Sequence, residues 1–289
     1  MMHTNNFHTV SAEDMRQMID EAAASIRAKT NKQFRTFIVL GSGLGGLGEL
    51  VENAVKISYG DIPHFAQSTV AGHKGQLIIG DLFGKPVMLM QGRFHFYEGH
   101  PLWQIAVPVR VARALGAENF IVTNAAGGIN RTFKVADVML ITDQINLIGM
   151  AGNNPLIGPN DESIGPRFPA MTQTYDKDFQ ELALKVAKES GVELKQGVYV
   201  GLAGPCFESP AELRFLRAIG ADSVGMSTTN EVAVARHCGM RVLGFSGITN
   251  VAVLSADEGV PPTHEEVMEA APKLAPKLTA LVRGVLQEM

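Results

Sequence analysis

Cysteine is scarce: Cys206 and Cys238 are the two in 289 residues, far apart and without C-x-x-C spacing. That excludes a disulfide framework and reads as two reduced thiols in a reducing compartment. There is no Lys/Arg block and no acidic tail; the net charge is −4 with both signs interspersed. Nucleic acid is therefore not an expected partner. No apolar run approaches the ~20 residues that span a bilayer. The opening "MMHTNNFHTV" lacks the charged-then-apolar layout of a secretory signal. A cytoplasmic chain without a membrane partner is the expectation. H-E-x-x-H, C-x-x-C and clustered-carboxylate spacings are absent, so no metal site is expected. The G-x-S-x-G elbow of many hydrolases and the G-x-x-x-x-G-K-[ST] phosphate loop are absent as well.

What is present suits a globular enzyme. Hydrophobic residues make up 46% of the chain and charged ones 19%, enough for a sizeable core. Ser11, with Asp14 three residues on, reads as the N-cap of a helix running to about Thr30, with Met15, Met18, Ile19, Ala22 and Ile26 at helical spacing. Strand candidates are "TFIVLGSG", "GQLIIGDLFG", "KPVMLMQGR", "NFIVTNAAGG", "DVMLITDQINL", "QGVYVGLAG", "SVGMS" and "RVLGFSGITN". Several are continuous apolar runs, as in strands buried on both faces.

Helical patterns alternate with them: "PLWQIAVPVRVARALGA", "DFQELALKVAKESG", "SPAELRFLRAIGA", "NEVAVARHCG" and a C-terminal stretch from Thr263. Gly116, Gly191, Gly220 and Gly239 stand where helices should stop. Pro272 and Pro276 should kink or interrupt the last one. The expectation is an α/β protein, one domain over residues 1–289, with a mixed sheet. One long irregular stretch, residues 149–176, reads as functional or as an interface.

"FIVLGSGLGGLGEL" places Gly41, Gly43 and Gly46 in a Gly-x-Gly-x-x-Gly turn after a strand, with Asp61 about twenty residues on. Alone, this is the outline of a dinucleotide site, hence of an oxidoreductase. Other strand ends carry polar signatures too: "MQGRFHFYEGH", "VTNAAGG", "GLAGPCFES", "VGMSTTNE" and "FSGITN". Ligands in open α/β sheets sit beyond carboxyl strand ends, where such loops converge. Arg93 and His95 alternate, so an extended segment points both to one face. Arg supplies a planar donor fork matched to phosphate oxygens. His73, between Gly72 and Gly75, could donate from a second loop. Ser42, between Gly41 and Gly43, sits where backbone can approach an anion, and Ser227 offers another hydroxyl. Each has a plain structural alternative. Arg93 could pair with Glu98, and "MSTTNE" could be a turn followed by a capping box. Their joint occurrence in strand-end loops favours a phosphate-sized anion beside a polar heterocycle.

Together, "VLGSGLGGL", "GHKGQLIIG", "MQGRFHFYEGH", "VTNAAGGIN", "GPNDESIGPRFPAM", "AGPCFES", "VGMSTTNEVAVARHCG" and "GFSGITN" closely resemble the trimeric class of purine nucleoside phosphorylases. The match runs in order from about Phe37 to Asn250, with "HEEV" at His264 beyond. The resemblance implies a single α/β domain around a distorted mixed β-sheet flanked by helices. The implied reaction is reversible phosphorolysis of purine nucleosides, with inorganic phosphate as co-substrate and no cofactor or metal. Gly41–Gly46 then becomes a loop around phosphate and not a dinucleotide site.

By position, the resemblance assigns phosphate to Ser42, His73, Arg93, His95, the backbone around Ala125, and Ser227. Ribose falls to Tyr97, Met226 and His264, with His264 near the 5′-hydroxyl. The purine falls to Phe207, Glu208, Val224, Met226 and Asn250. Asn250, His95 and Glu208 carry the chemistry. Relatives that take 6-amino purines have Asp at the position of Asn250, so inosine and guanosine are the expected substrates, and xanthosine stays open. A homotrimer is implied, with residues 149–176 reaching a neighbouring site. There Ile164 replaces the usual Phe, which alters the neighbour's contribution. Asn230 replaces a common Pro; Gly247 and "ADEGVPPTHEE" also differ from the family pattern.

Overall fold

The computed structural model describes residues 9–69, 74–253, 255 and 263–289, the side chain of His264 excepted. His73 and the His264 side chain thus lie outside the described residues. Nine strands among the described residues form one sheet: β1 (Thr36–Leu40), β2 (Glu52–Ser58), β3 (Gln76–Leu82), β4 (Lys85–Gln91), β5 (Asn119–Gly128), β6 (Val138–Asn146), β7 (Leu194–Gly201), β8 (Ser223–Gly225) and β9 (Arg241–Val251). Their order is β2-β3-β4-β1-β5-β8-β7-β6-β9, and β9 returns to pair with β5. The last five strands of that order therefore close into a ring.

The sheet is mixed, as expected. β1 runs parallel to β4 and β5, and β5 parallel to β9. The β2–β3, β3–β4, β5–β8 and β6–β9 pairs are antiparallel. Register shifts at Ala126/Gly127 and Ile141/Asp143 distort it. All five residues of β1 are buried, with helices packed on both sides. β2 is the strand that hydrophobic patterning misses. It pairs only with β3, and its mostly exposed "ENAVKIS" has no continuous apolar run. Edge strands carry charge in this way because nothing covers one side of them.

Helix boundaries follow the capping chemistry. In α1 (Ala12–Arg27) the Ser11 hydroxyl accepts from the Asp14 N–H at 3.0 Å, and Met15, Ile19, Ala22 and Ile26 are buried. The segment after Pro101 divides into α2 (Leu102–Ile105) and α3 (Val107–Ala114), with Pro108 in the first turn of α3, where its missing N–H costs nothing. α4 (Leu147–Met150) is a single turn; α5 (Lys177–Glu189), α6 (Pro210–Ala218) and α7 (Thr229–His237) follow. Gly116, Gly191, Gly220 and Gly239 all have positive φ past a helix end. The residue after each returns a hydrogen bond five positions back, as in Ala117 N–H to Ala112 O at 2.9 Å. α8 (His264–Glu288) contains Pro272 and Pro276, and neither interrupts it. Burial of Ala270, Leu274, Leu278, Leu281 and Val285 holds it in place.

Candidate active site

The carboxyl ends of β1, β4, β5 and β9, the β7–α6 loop and the β8–α7 turn converge on a cavity of about 140 Å³. Ser42, Arg93, His95, Tyr97, Ala125, Phe207, Glu208, Val224, Met226, Ser227 and Asn250 all line it. Every sequence-derived site residue with a described side chain is therefore in one place. The glycine turn does not lead into a helix. It passes through a 3₁₀ turn, Gly45–Leu50, into β2. The helix N-terminus that a dinucleotide pyrophosphate requires is missing there.

Gly41 brings the Ser42 loop against β5. Its N–H donates to Thr123 Oγ1 at 3.2 Å, and a Cβ on Gly41 would lie 2.6 Å from Asn124 Cα. No side chain fits, so backbone meets backbone beside the cavity. Gln91, two residues before Arg93, donates to Gly45 O at 2.7 Å and to Glu49 at 2.8 Å, and accepts from Gln76. This ties the loop to β3 and β4.

Arg93 is paired, though not with Glu98. Glu231 lies 2.9 Å from its Nη2 and 3.3 Å from its Nε, and the two side chains are 1% and 6% exposed. Arg93 Nη1 donates to Thr123 O at 2.7 Å and to Ser227 Oγ at 3.3 Å. The guanidinium is thus aimed by β5, Ser227 and a carboxylate together. Thr228 beside it has φ 70° and ψ −57°, with Thr229 N–H bonded to Ser227 O at 2.8 Å. This is a positive-φ γ-turn, a strained shape for a β-branched residue.

Glu98 serves His95 instead. It accepts from the His95 N–H at 2.7 Å and faces Nδ1 at 3.1 Å, while Thr69 donates to its other oxygen from both N–H and Oγ1. Burial pushes the carboxyl up, but these hydrogen bonds outweigh it and hold it at about 2. A proton on Nδ1, directed at this carboxylate, fixes the ring's orientation, and His95 lines the cavity. The His95 ring stacks on Tyr97 with centroids 4.8 Å apart. Burial, then the Glu98 charge, raises the Tyr97 phenol to about 12, so it stays a neutral hydroxyl.

At the other end, Phe207 is exposed and Glu208 half-buried. Burial raises the Glu208 carboxyl above its usual range, and nearby Glu212 adds to this. Asn250 sits on β9 opposite Gly127, just past the register shift, and Thr249 Oγ1 donates to its Oδ1 at 3.2 Å. That bond orients the amide so that Nδ2 is its remaining donor end.

Asn124, Gly127, Gly225, Thr249 and Val267 also line the cavity and were not singled out from sequence. Glu231 had a signal, the S/T-x-x-E spacing from Thr228, but that spacing reads as a cap. A larger cavity of about 640 Å³ lies along residues 143–174 and includes Phe168, 86% exposed, and Met150, 76% exposed. It holds none of the sequence-derived site residues. Ile164 packs inward against the chain's own core.

A family model described as "Phosphorylase superfamily" matches residues 35–287. "Purine nucleoside phosphorylase 1" of Bacillus subtilis is 50% identical over 95% of this chain and 99% of its own. Two crystal structures of the Schistosoma mansoni purine nucleoside phosphorylase superpose with TM-score 0.90 at 41% identity. The inosine complex covers 94% of this chain and 96% of its own, and the adenosine complex 96% and 98%.

Proposed function

The chain belongs to the purine nucleoside phosphorylases of the phosphorylase superfamily, and we infer that it phosphorolyses 6-oxopurine nucleosides reversibly to free base and ribose 1-phosphate. One observation carries this reading. A single cavity is lined both by groups suited to an anion (Ser42, Arg93, His95, Ser227) and by a purine-edge pair, Glu208 and Asn250.

Breaking the glycosidic bond builds positive charge on the ribose and negative charge on the departing purine, as in glycoside hydrolysis. Phosphate held by Ser42, His73, Arg93, His95, the Ala125 backbone and Ser227 is both nucleophile and neighbouring anion. No protein nucleophile is needed, nor a cofactor or metal. Tyr97 and Met226 face the ribose, with His264 toward its 5′-hydroxyl. Phe207, Val224 and Met226 flank the base. Asn250 Nδ2 donates toward N7 and the 6-oxo group, taking up charge as the base leaves. Glu208 accepts from N1–H, which inosine and guanosine have and neutral adenosine lacks. A mispaired polar edge of this kind supports roughly 10⁴-fold discrimination.

The exposed Phe168 and Met150 on the 149–176 segment support association of copies, and a trimer fits the family. Among the described residues no helix is long and apolar enough to cross a membrane. A cytoplasmic salvage enzyme is the reading that fits.

The test is base release from inosine, adenosine and xanthosine, each with and without inorganic phosphate. Phosphate-dependent cleavage of inosine with little of adenosine supports the reading. The adenosine-bound Schistosoma relative makes 6-amino cleavage the second outcome; fast adenosine turnover would overturn the Glu208–Asn250 account while leaving the phosphate site intact.

A further inference from the structure

We propose that Glu231 is a positioning residue that sets both the aim and the net charge of Arg93 in the anion pocket. The proposal rests on the phosphorolysis reading for what the pocket binds.

Thr228 and Glu231 have capping-box spacing at the start of α7, yet Thr228 makes no side-chain cap hydrogen bond. Its hydroxyl instead accepts from Asn124 Nδ2 at 2.9 Å and lies 3.5 Å from Arg93 Nη1. The Glu231 carboxylate is turned to the Nε and Nη2 edge of the same guanidinium. One turn of chain, Ser227 to Glu231, thus cradles Arg93 from three side chains. Thr228 is held there in a backbone shape that a β-branched residue adopts only under constraint. A helix start stabilised for its own sake would form the cap and avoid the positive φ.

The consequence is electrostatic. A buried guanidinium without a counter-charge would bind a phosphate dianion strongly in so dry a site. Glu231 offsets that charge, so the pocket holds anions through directed N–H and O–H groups more than through net charge. Phosphate can then enter and ribose 1-phosphate can leave. The carboxylate also keeps the fork edge-on, which fixes where Nη1 meets Thr123 and Ser227.

The experiment compares the full-length parent with Glu231→Gln and Glu231→Asp. It measures inorganic phosphate binding by titration calorimetry and the kinetics of inosine phosphorolysis. Glu231→Gln removes the charge and keeps the shape. Its phosphate dissociation constant should fall about tenfold and its kcat about tenfold, with KM for inosine within about threefold. Glu231→Asp keeps the charge but withdraws the carboxylate; phosphate affinity should stay within about twofold while kcat still falls about fivefold or more. A merely structural residue predicts the opposite sign, weaker phosphate binding in both variants, and that result overturns the proposal. So does an unchanged phosphate constant in Glu231→Gln. If Glu231→Gln does not fold, Glu231→Asp decides: parental kcat sinks the proposal. A parent that binds phosphate but does not use it to cleave inosine would defeat the phosphorolysis reading, and the phosphate titrations would still decide the role of Glu231.

Discussion

One oxygen of Glu98 meets both the backbone N–H of His95, at 2.7 Å, and the Nδ1 of its ring, at 3.1 Å. A single carboxylate therefore fixes the place and the tautomer of a residue that lines the cavity. Glu98→Gln can keep the loop but presents either an amide donor or a weaker acceptor to Nδ1. We expect kcat/KM for inosine phosphorolysis to fall by on the order of 10²-fold, with circular dichroism unchanged. Parental kcat/KM would show that the tautomer does not matter.

In the proposed reaction Asn250 is the donor that receives charge from the leaving base. Asn250→Ala should lower kcat on inosine by about 10²–10³-fold, the usual loss for one preorganised donor. Steady-state rates at saturating phosphate check this, and unchanged turnover would remove Asn250 from the chemistry.

The raised carboxyl of Glu208 has a consequence for pH dependence. Base recognition needs the ionised form, so activity is lost as pH falls through a value above the ordinary carboxylate range. The acid limb of kcat/KM for inosine should lie above about pH 4.3, the unperturbed Glu value. In Glu208→Gln the limb should be absent and kcat/KM uniformly low. An unaltered limb in the variant would assign it to another group.

His237 governs acid stability elsewhere in the fold. Burial first, then Arg110, with a smaller contribution from Arg167, lowers its pKa to about 4, although Glu162 pulls it upward. Its Nε2 meets Asn160 Oδ1 at 3.0 Å, anchoring the 149–176 segment to α7. The folded pKa is depressed, so the stability this group contributes is full above about 6.5, its unfolded value. It is lost as pH falls toward about 4. Denaturant midpoints for the parent should drop across that window, and His237→Asn should flatten this part of the curve. An equal slope in both proteins would contradict the assignment.

Gly41→Ala tests the contact between the Ser42 loop and β5. The new Cβ would meet Asn124 Cα and Thr123 O, both backbone, at 2.6 and 2.8 Å. Neither can rotate away. We expect a loss of about 1–3 kcal/mol, read as several degrees in Tm, and a weaker phosphate KM. A neutral Tm would mean that the loop has room to spare.

The sequence made buried strands legible because β1, β4 and the start of β5 carry continuous apolar runs, and helix ends legible because glycines and caps mark them. β2 was hidden because an exposed edge strand has no such run. α8 continues past its two prolines because their local cost is offset by burial of the helix along its length. Within the site, the residues that face the cavity were visible through the resemblance and through glycine-rich strand ends. Their supports were not. Glu231 stands 138 residues from Arg93, and pairing across such a separation is set by topology. The Thr228–Glu231 spacing pointed to a cap, and the structure uses it for something else. The choice of Glu98 for His95 over Arg93 turns on which face of one short loop each side chain takes, which spacing alone left open.

In the proposed reaction phosphate is the nucleophile at the ribose. Incubating the chain with inosine and inorganic phosphate and following phosphorus by NMR tests this. We expect one equivalent of ribose 1-phosphate for each hypoxanthine released, and no hypoxanthine without phosphate. Hypoxanthine released with free ribose and no phosphate ester would mean that water is the nucleophile and that phosphorolysis is not the reaction.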